Sequence, residues 1–309
     1  MAMLAESPMA GSYRKVLQVL TVNRYQLFQL FKYSVYALLA LNVYLFFDEE
    51  HVAAALQFPQ GVPAGDLIEA YVATIDTAAW LILLLMFEVE TNFLSEDQFT
   101  PRVTWFLHGL RAFCYSYIVY AFYGYIVNLQ TVASVDLLAG VTSLCALADG
   151  GWSYSVTLDQ YELITPASCA TFSGASEFFQ YTGMPVVVDA TSFTKILRLA
   201  WVDVINAGVW LLVVLNLEID VRLQERGVLG GAILRASNIS KFFIYSILFL
   251  CAVYWGFKGD FVDFWDAFLW LVAFVFIELN VFNWRQETIR DRTVAAATGS
   301  LAAGAEAIK

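Results

Sequence analysis

The chain has 309 residues, of which 60% are hydrophobic and 15% are charged, and its mean hydropathy is +0.63. A soluble domain of this length needs more polar surface, so the composition predicts a membrane protein. The net charge of −11 comes with no basic stripe of the kind that binds nucleic acid. We therefore expect the lipid bilayer as the surroundings of the chain, and we do not expect a nucleic-acid partner.

Six apolar stretches are long enough to cross a bilayer as helices, which predicts an all-α, polytopic membrane fold. An amphipathic arm over residues 1–30 precedes them on the cytoplasmic side, and a flexible low-complexity tail over 289–309 follows them. The first 30 residues contain no uninterrupted apolar core, so we expect no cleavable signal peptide. The predicted spans cover about residues 31–47, 72–90, 108–127, 199–219, 240–257 and 262–282.

Lysine and arginine are concentrated in alternate connecting segments, and this bias predicts the orientation. With the N-terminus inside, all but three of the 17 cations lie on the cytoplasmic side of the predicted spans. The three on the outer side are Lys195, Arg198 and Lys258. We expect both termini in the cytoplasm, with a bacterial inner (cytoplasmic) membrane as the location.

The longest connecting segment, residues 128–196, is expected to form a small outer cap. It contains Cys145 and Cys169, which an oxidising compartment would allow to pair, so the sequence predicts a disulfide. Residues 152–158 alternate large apolar and small polar side chains, and 183–189 form an apolar run, which predicts two strands.

Three predicted spans carry the same pattern around a tryptophan, at Trp80, Trp210 and Trp270. Each tryptophan follows a carboxylate or amide side chain by four residues, and further such side chains lie eight and ten residues after it. The span before each begins with Lys or Arg, followed by Tyr four residues later. These matches predict three hairpin repeats around a pseudo-threefold axis along the membrane normal. The repeats cover residues 31–97, 98–226 and 227–288.

The glutamates eight residues after each tryptophan lie at the depth of the cations that begin the preceding spans. Ionisable groups inside a bilayer are costly and tend to pair. We therefore expect structural salt bridges between hairpins, Lys32 with Glu88 among them. The residues assigned to these pairs are Lys32, Arg111, Lys241, Glu88, Glu218 and Glu278.

The residues four before and ten after each tryptophan lie within about 40° of each other around the helix, and we call each such face a polar stripe. Stripes that face a common axis would place polar rings near both ends of an apolar core, as in a cation or proton pathway. Alternatively, the stripes lie in the interfaces between helices, where Asp and Asn are ordinary. Their members are Asp76, Glu90, Asn206, Asp220, Asp266 and Asn280.

No sequence pattern for metal, haem, nucleotide or hydrolase chemistry is visible, so we expect no enzyme and no cofactor. Two function classes remain. The first is a structural or accessory subunit that binds other membrane proteins or forms a homo-oligomer. The second is a small cation or proton channel or transporter that uses the polar stripes.

Overall fold

The computed structural model describes residues 8–94, 98, 100–175, 177–226, 228, 230–259 and 261–276, with side chains from residue 26 onward apart from that of Glu225. Within these residues, five helices are long and apolar enough to span a membrane. They are compatible with a multi-pass membrane protein. The five segments are Gln26–Gln57, Val72–Asn92, Pro101–Ala133, Ala190–Gln224 and Gly231–Lys258.

The sixth predicted span is described only in part. Residues 261–276 are helical, and the rest of the span lies outside the described residues, as does the predicted tail. Helix α1 covers Pro8–Gln57, so the described part of the predicted arm is helical, and its position on the membrane surface stays a prediction.

A short helix α2 (Leu67–Ala70) leads into α3 (Val72–Asn92), which packs against α4 (Pro101–Ala133). As the sequence predicts, Pro101 opens α4 and the Thr100 side chain caps it, accepting a hydrogen bond from Val103 N at 3.4 Å. Farther along the chain, α6 (Ala190–Glu225) packs against α4, and α7 (Gly231–Lys258) packs against α6.

Contacts divide the chain into two compact units. The first consists of Met1–Ala37 with Leu269–Lys309, and in its described part Phe28 and Phe31 meet Phe276 edge to face at 5.3 and 5.6 Å between ring centroids. The second unit is Leu38–Phe268, which contains the rest of α1, the helices α2, α3, α4, α6 and α7, and the segment between α4 and α6.

The segment between α4 and α6 forms a five-stranded mixed sheet, so the all-α prediction is too narrow and the two predicted strands account for only part of the sheet. The strand order is β1-β4-β5-β2-β3, and every neighbouring pair is antiparallel except β2 with β5. The sheet region is also shorter than predicted, because α4 ends at Ala133 and α6 begins at Ala190. The strands are β1 (Val135–Leu137), β2 (Ser153–Ser155), β3 (Tyr161–Leu163), β4 (Phe178–Tyr181) and β5 (Val186–Asp189).

The sheet packs against its own hydrophobic core, which includes the fully buried Leu144 and Ile164. The disulfide between Cys145 and Cys169 is confirmed. It links a 3-10 helix (Leu144–Leu147) to the short helix α5 (Cys169–Phe172). The disulfide therefore holds these two short helices together beside the hydrophobic core. Such a cross-link stabilises a small domain chiefly by constraining its unfolded chain.

Asp189 joins the sheet to the membrane helices. It ends β5 and caps α6, with Oδ1 accepting from Thr191 N at 2.7 Å and from Ser192 N at 3.1 Å, while the Tyr154 hydroxyl of β2 donates to Oδ2. Burial of Asp189 disfavours its charged form, but the hydrogen bonds that it accepts from Ser192 and Tyr154 have the larger effect and lower its pKa. Burial of the Tyr154 hydroxyl, together with its hydrogen bond to Asp189, raises the pKa of Tyr154 to about 12.

Replacing Asp189 by Ala should destabilise the protein by about 1–2 kcal/mol at neutral pH, because the helix loses its cap. A lowered folded pKa contributes stability that is complete above the unfolded pKa of about 4 and is lost as the pH falls through the folded value. The difference in the free energy of unfolding between wild type and Asp189→Ala should therefore be smaller at acidic pH. Thermal unfolding in detergent at neutral and acidic pH measures this difference. The exposed Asp149→Ala is the control, and equal effects of the two variants would contradict this role.

Candidate functional site

Among the described residues, the contacts of the residues assigned to ion pairs and polar stripes lie at two levels along the helices. We call the end at which α4 enters the sheet and α6 leaves it the sheet end, and the other the opposite end. Helices α3 and α4 are antiparallel, and so are α6 and α7. An acid on one helix and its partner on the next therefore meet at a common level.

The polar stripe of α3 faces α4. At the opposite end, Arg111 Nη2 lies 2.7 Å from Glu90 Oε2. At the sheet end, the Tyr125 hydroxyl donates to Asp76 Oδ2 at 3.4 Å. Two residues on one face of α4 thus contact both ends of one stripe, which places this stripe in a helix interface.

Helices α6 and α7 have a similar arrangement. Asp220, which is 4% exposed, accepts a hydrogen bond from Ser237 Oγ at 2.8 Å and lies 3.1 Å from Lys241 Nζ. Toward the sheet end, Trp255 Nε1 donates to Asp203 Oδ1 at 3.2 Å. In the predicted repeat alignment, Lys241 and Trp255 are the counterparts of the two α4 residues that contact α3.

Glu90, which was assigned to a polar stripe, makes the ion pair with Arg111 that was expected of a glutamate eight residues after a tryptophan. Arg111 pairs with Glu90, and Glu218 instead pairs with Arg222 one turn along the same helix, at 2.8 Å. The side chains of Arg222 and Glu218 are 67% and 48% exposed. The sequence places Arg111 at about the same depth as Glu90 and Glu218. Helix α4 lies on the face of α3 that carries the polar stripe, so Arg111 meets Glu90.

The predicted pairing of Lys32 with Glu88 stays a prediction. Each residue is almost completely buried, at 2% and 3% exposure, and the Lys32 ammonium lies 5.0 Å from the centre of the Tyr33 ring. Glu278 and Asn280, which were assigned to an ion pair and a polar stripe, lie outside the described residues.

Glu50 of α1 supplies an interaction that sequence reasoning missed. Its carboxylate accepts from Ala73 N at 2.7 Å, from Thr74 N at 3.1 Å and from Thr74 Oγ1 at 2.5 Å. Tyr71, at the N-cap position of α3, makes no side-chain cap, so Glu50 satisfies these amides from another helix. In the sequence it follows Asp48 and Glu49 and looks like one of three solvated acids.

Asn42 is a second residue that sequence reasoning missed. This fully buried side chain of α1 donates from Nδ2 to Asp266 Oδ1 at 2.8 Å. Asp266, like Asp76, is a stripe residue at the sheet end and is partly buried. A single amide inside an apolar span was the available signal. Asn206, the remaining stripe residue at this level, is partly buried.

The three repeat tryptophans are buried in the protein, so packing rather than an interfacial belt accounts for them. Trp80, Trp210 and Trp270 are 8%, 8% and 6% exposed, and the rings of the first two lie 5.7 Å apart. The residues one and three positions before each of them are buried as well.

The two histidines make ordinary structural contacts. His108 Nδ1 lies 2.7 Å from the Thr104 carbonyl oxygen one turn earlier, and His51 Nδ1 lies 3.1 Å from the Tyr71 hydroxyl. Among the described residues, no group of three His, Cys, Asp or Glu side chains is placed to hold a metal ion.

No protein-family model matches this chain, and no curated protein and no solved structure is similar to it. The contacts described above are therefore the basis for any functional assignment.

Asp220→Asn and Glu218→Gln form a matched pair, two residues apart on α6. Asp220→Asn should destabilise the protein by about 3 kcal/mol, because it removes the buried counter-charge that Asp220 gives Lys241. Glu218→Gln should cost less than about 1 kcal/mol, because its pair is exposed. Unfolding titrations in mixed micelles compare the two. Similar losses would contradict the assignment of the buried pair to Asp220.

Proposed function

We propose that the chain is a structural or accessory subunit of a membrane assembly, non-enzymatic, that binds other membrane proteins or itself. The observation that carries this proposal is the pairing of two stripe acids, Glu90 and Asp220, with Arg111 and Lys241 at 2.7 and 3.1 Å. A cation pathway needs carboxylates that can exchange partners. Carboxylates held by cations of the same chain serve instead to hold neighbouring helices in register.

The finer architecture we propose is six spans arranged as three hairpins around a pseudo-threefold axis. Its support is the recurrence of equivalent contacts. Arg111 and Lys241 lie near the start of the first predicted spans of hairpins 2 and 3. Each pairs with the acid ten residues after the tryptophan of the preceding hairpin. A second observation is that the buried Trp80 and Trp210, at matching positions of hairpins 1 and 2, lie 5.7 Å apart between ring centroids.

We further propose a bacterial inner membrane, with both termini in the cytoplasm. Two independent features support this orientation. Lys and Arg are concentrated in the segments assigned to the cytoplasm. The Cys145–Cys169 disulfide lies in the segment assigned to the opposite side, and disulfides persist in oxidising compartments.

The sheet offers a surface for a partner outside the lipid. Its edge strands β1 and β3 expose Leu137 and Leu163 at 60% and 47%. Edge strands present unpaired backbone groups and are common sites of strand addition by another chain. An accessory subunit could use these edges to contact a protein next to it in the membrane.

A second candidate function, a small cation or proton channel or transporter, is favoured by the sheet end of the helices. There the stripe acids Asp76 and Asp266 receive hydrogen bonds from the neutral side chains of Tyr125 and Asn42. Ionisable side chains inside a membrane protein are rare and mark ion and proton pathways.

Native mass spectrometry of the protein, extracted gently from its own membrane, tests the first proposal. We expect a stoichiometric complex with another membrane protein or a defined homo-oligomer. The complex should dissociate to monomer in a harsh detergent, which serves as the internal control. A bare monomer across the accessible range of protein concentrations would overturn the accessory-subunit proposal.

Ion flux into proteoliposomes tests the second candidate. If the chain conducts cations or protons through the stripe acids, Asp76→Asn should reduce flux at least tenfold, while Glu218→Gln, on an exposed face, should leave it unchanged. Asp76→Asn is preferable to Glu90→Gln, because the latter also breaks the pair with Arg111. Flux that is absent from wild type, or equal in the two variants, would contradict this candidate.

A further inference from the structure

Helix α4 exposes three tyrosines on one side, and we call this side the tyrosine face. Tyr117, Tyr120 and Tyr123 are 40%, 45% and 56% exposed, and they lie within about 120° of one another around the helix. Within the part of the chain that the structure describes, none of their hydroxyls has a hydrogen-bond partner. By contrast, the Tyr125 hydroxyl of the same helix donates to Asp76.

The depth of these tyrosines decides what their hydroxyls would meet in lipid. Tyr117 is the middle residue of α4, which has 33 residues, and it is also near the middle of the predicted span 108–127. Tyr120 and Tyr123 lie about 4.5 and 9 Å farther along the axis, within the half-thickness of about 15 Å of a hydrocarbon core. The tyrosines of an aromatic belt lie instead at the membrane–water interfaces. Acyl chains offer a hydroxyl no hydrogen-bond partner, so a purely lipid environment is unfavourable for this face.

Gly109 is a second, independent sign that a protein contacts this face. It lies within about 80° of the three tyrosines around α4, and a methyl group in its place would meet no atom within 4 Å. A methyl group at the other glycines inside long helices would lie 2.9, 3.3 or 3.2 Å from a side chain, at Gly124, Gly208 and Gly256 respectively. Those three glycines allow close packing within the chain, whereas Gly109 weakens its helix without such a gain. Glycine allows two membrane helices to approach closely, so Gly109 suits a helix from outside the chain.

We propose that the tyrosine face of α4 binds the same face of α4 in a second copy of the chain. This inference rests on the accessory-subunit proposal and specifies both its partner and its surface. A tyrosine hydroxyl both donates and accepts, so two copies of the face satisfy each other across a twofold axis. Between Gly109 and Tyr123 the exposed residues of α4 include no charged side chain, and Arg111 is paired with Glu90. Two copies of this face therefore meet without repulsion between like charges.

Disulfide cross-linking of the full chain in its own membrane tests the contact. Ser116 is exposed and lies seven residues from both Gly109 and Tyr123, so it is central to the face. Ser116→Cys should form a covalent dimer on mild oxidation, at least tenfold more than the control Ser246→Cys. Ser246 of α7 has the matching position in the predicted repeat alignment. Each serine hydroxyl donates to the carbonyl oxygen four residues earlier, at 2.8 Å for Ser116 and 2.7 Å for Ser246.

Substitutions on the face test the hydrogen bonds and the close approach separately. Replacing any one of the three tyrosines by Phe should weaken the dimer about threefold, because it removes a hydrogen bond between helices. Gly109→Leu should abolish the dimer and leave the thermal unfolding of the monomer unchanged, because its side chain meets open space within one copy. Tyr44→Phe, on an exposed tyrosine of α1, is the control and should leave the dimer unchanged. Energy transfer between labelled chains, diluted stepwise with lipid in liposomes, measures the dimer.

The possible failures separate this inference from the accessory-subunit proposal. A stoichiometric complex with a different protein, without a cross-link in Ser116→Cys, would overturn the second copy as partner and leave the accessory subunit in place. A homo-oligomer that cross-links equally in Ser116→Cys and Ser246→Cys would overturn the tyrosine face as the surface. A dimer as strong in Gly109→Leu and the three Phe variants as in wild type would overturn it as well.

Discussion

The arrangement of the helices depends on the cost of a charge inside an apolar bundle. An ionised group removed from water loses several kcal/mol unless a partner is held close by. Here the partners come from adjacent antiparallel helices, as in Arg111 with Glu90 and Lys241 with Asp220. One such contact fixes both the rotation and the axial position of two helices. Hydrophobic packing does this poorly in lipid, because the acyl chains are as apolar as leucine.

The two ends of the helices satisfy their polar groups differently. At the opposite end, carboxylates meet cations of the neighbouring helix. At the sheet end, Asp76 and Asp203 receive hydrogen bonds from Tyr125 and Trp255, and Glu50 binds backbone amides. A hydrogen bond from a neutral donor also satisfies a carboxylate and fixes its direction, as an ion pair does. The two ends of the helices thus set the helix register with different chemical groups.

Much of the membrane part was predictable because its signals are local. Apolar length located the spans, and Thr100 with Pro101 located the start of α4. The sheet was only partly predictable, because its strands have three or four residues and their pairing joins segments far apart in sequence. Helical periodicity placed Asp76 and Glu90 on one face. Periodicity does not identify the helix that contacts this face. The prediction that Arg111 pairs with a glutamate eight residues after a tryptophan was therefore wrong.

The predicted repeats also show why residues at matching positions of an alignment need not make matching contacts. Glu88 and Glu218 occupy the same position of the predicted repeat alignment, yet the first is 3% exposed and the second has a side chain that is 48% exposed. A buried glutamate requires a partner, whereas an exposed one can pair with Arg222 within its own helix. The alignment predicts the depth of a carboxylate and its approximate direction around the helix, but not the extent of its burial. Burial depends on the neighbouring helices, and this is why the alignment did not predict different surroundings for the two glutamates.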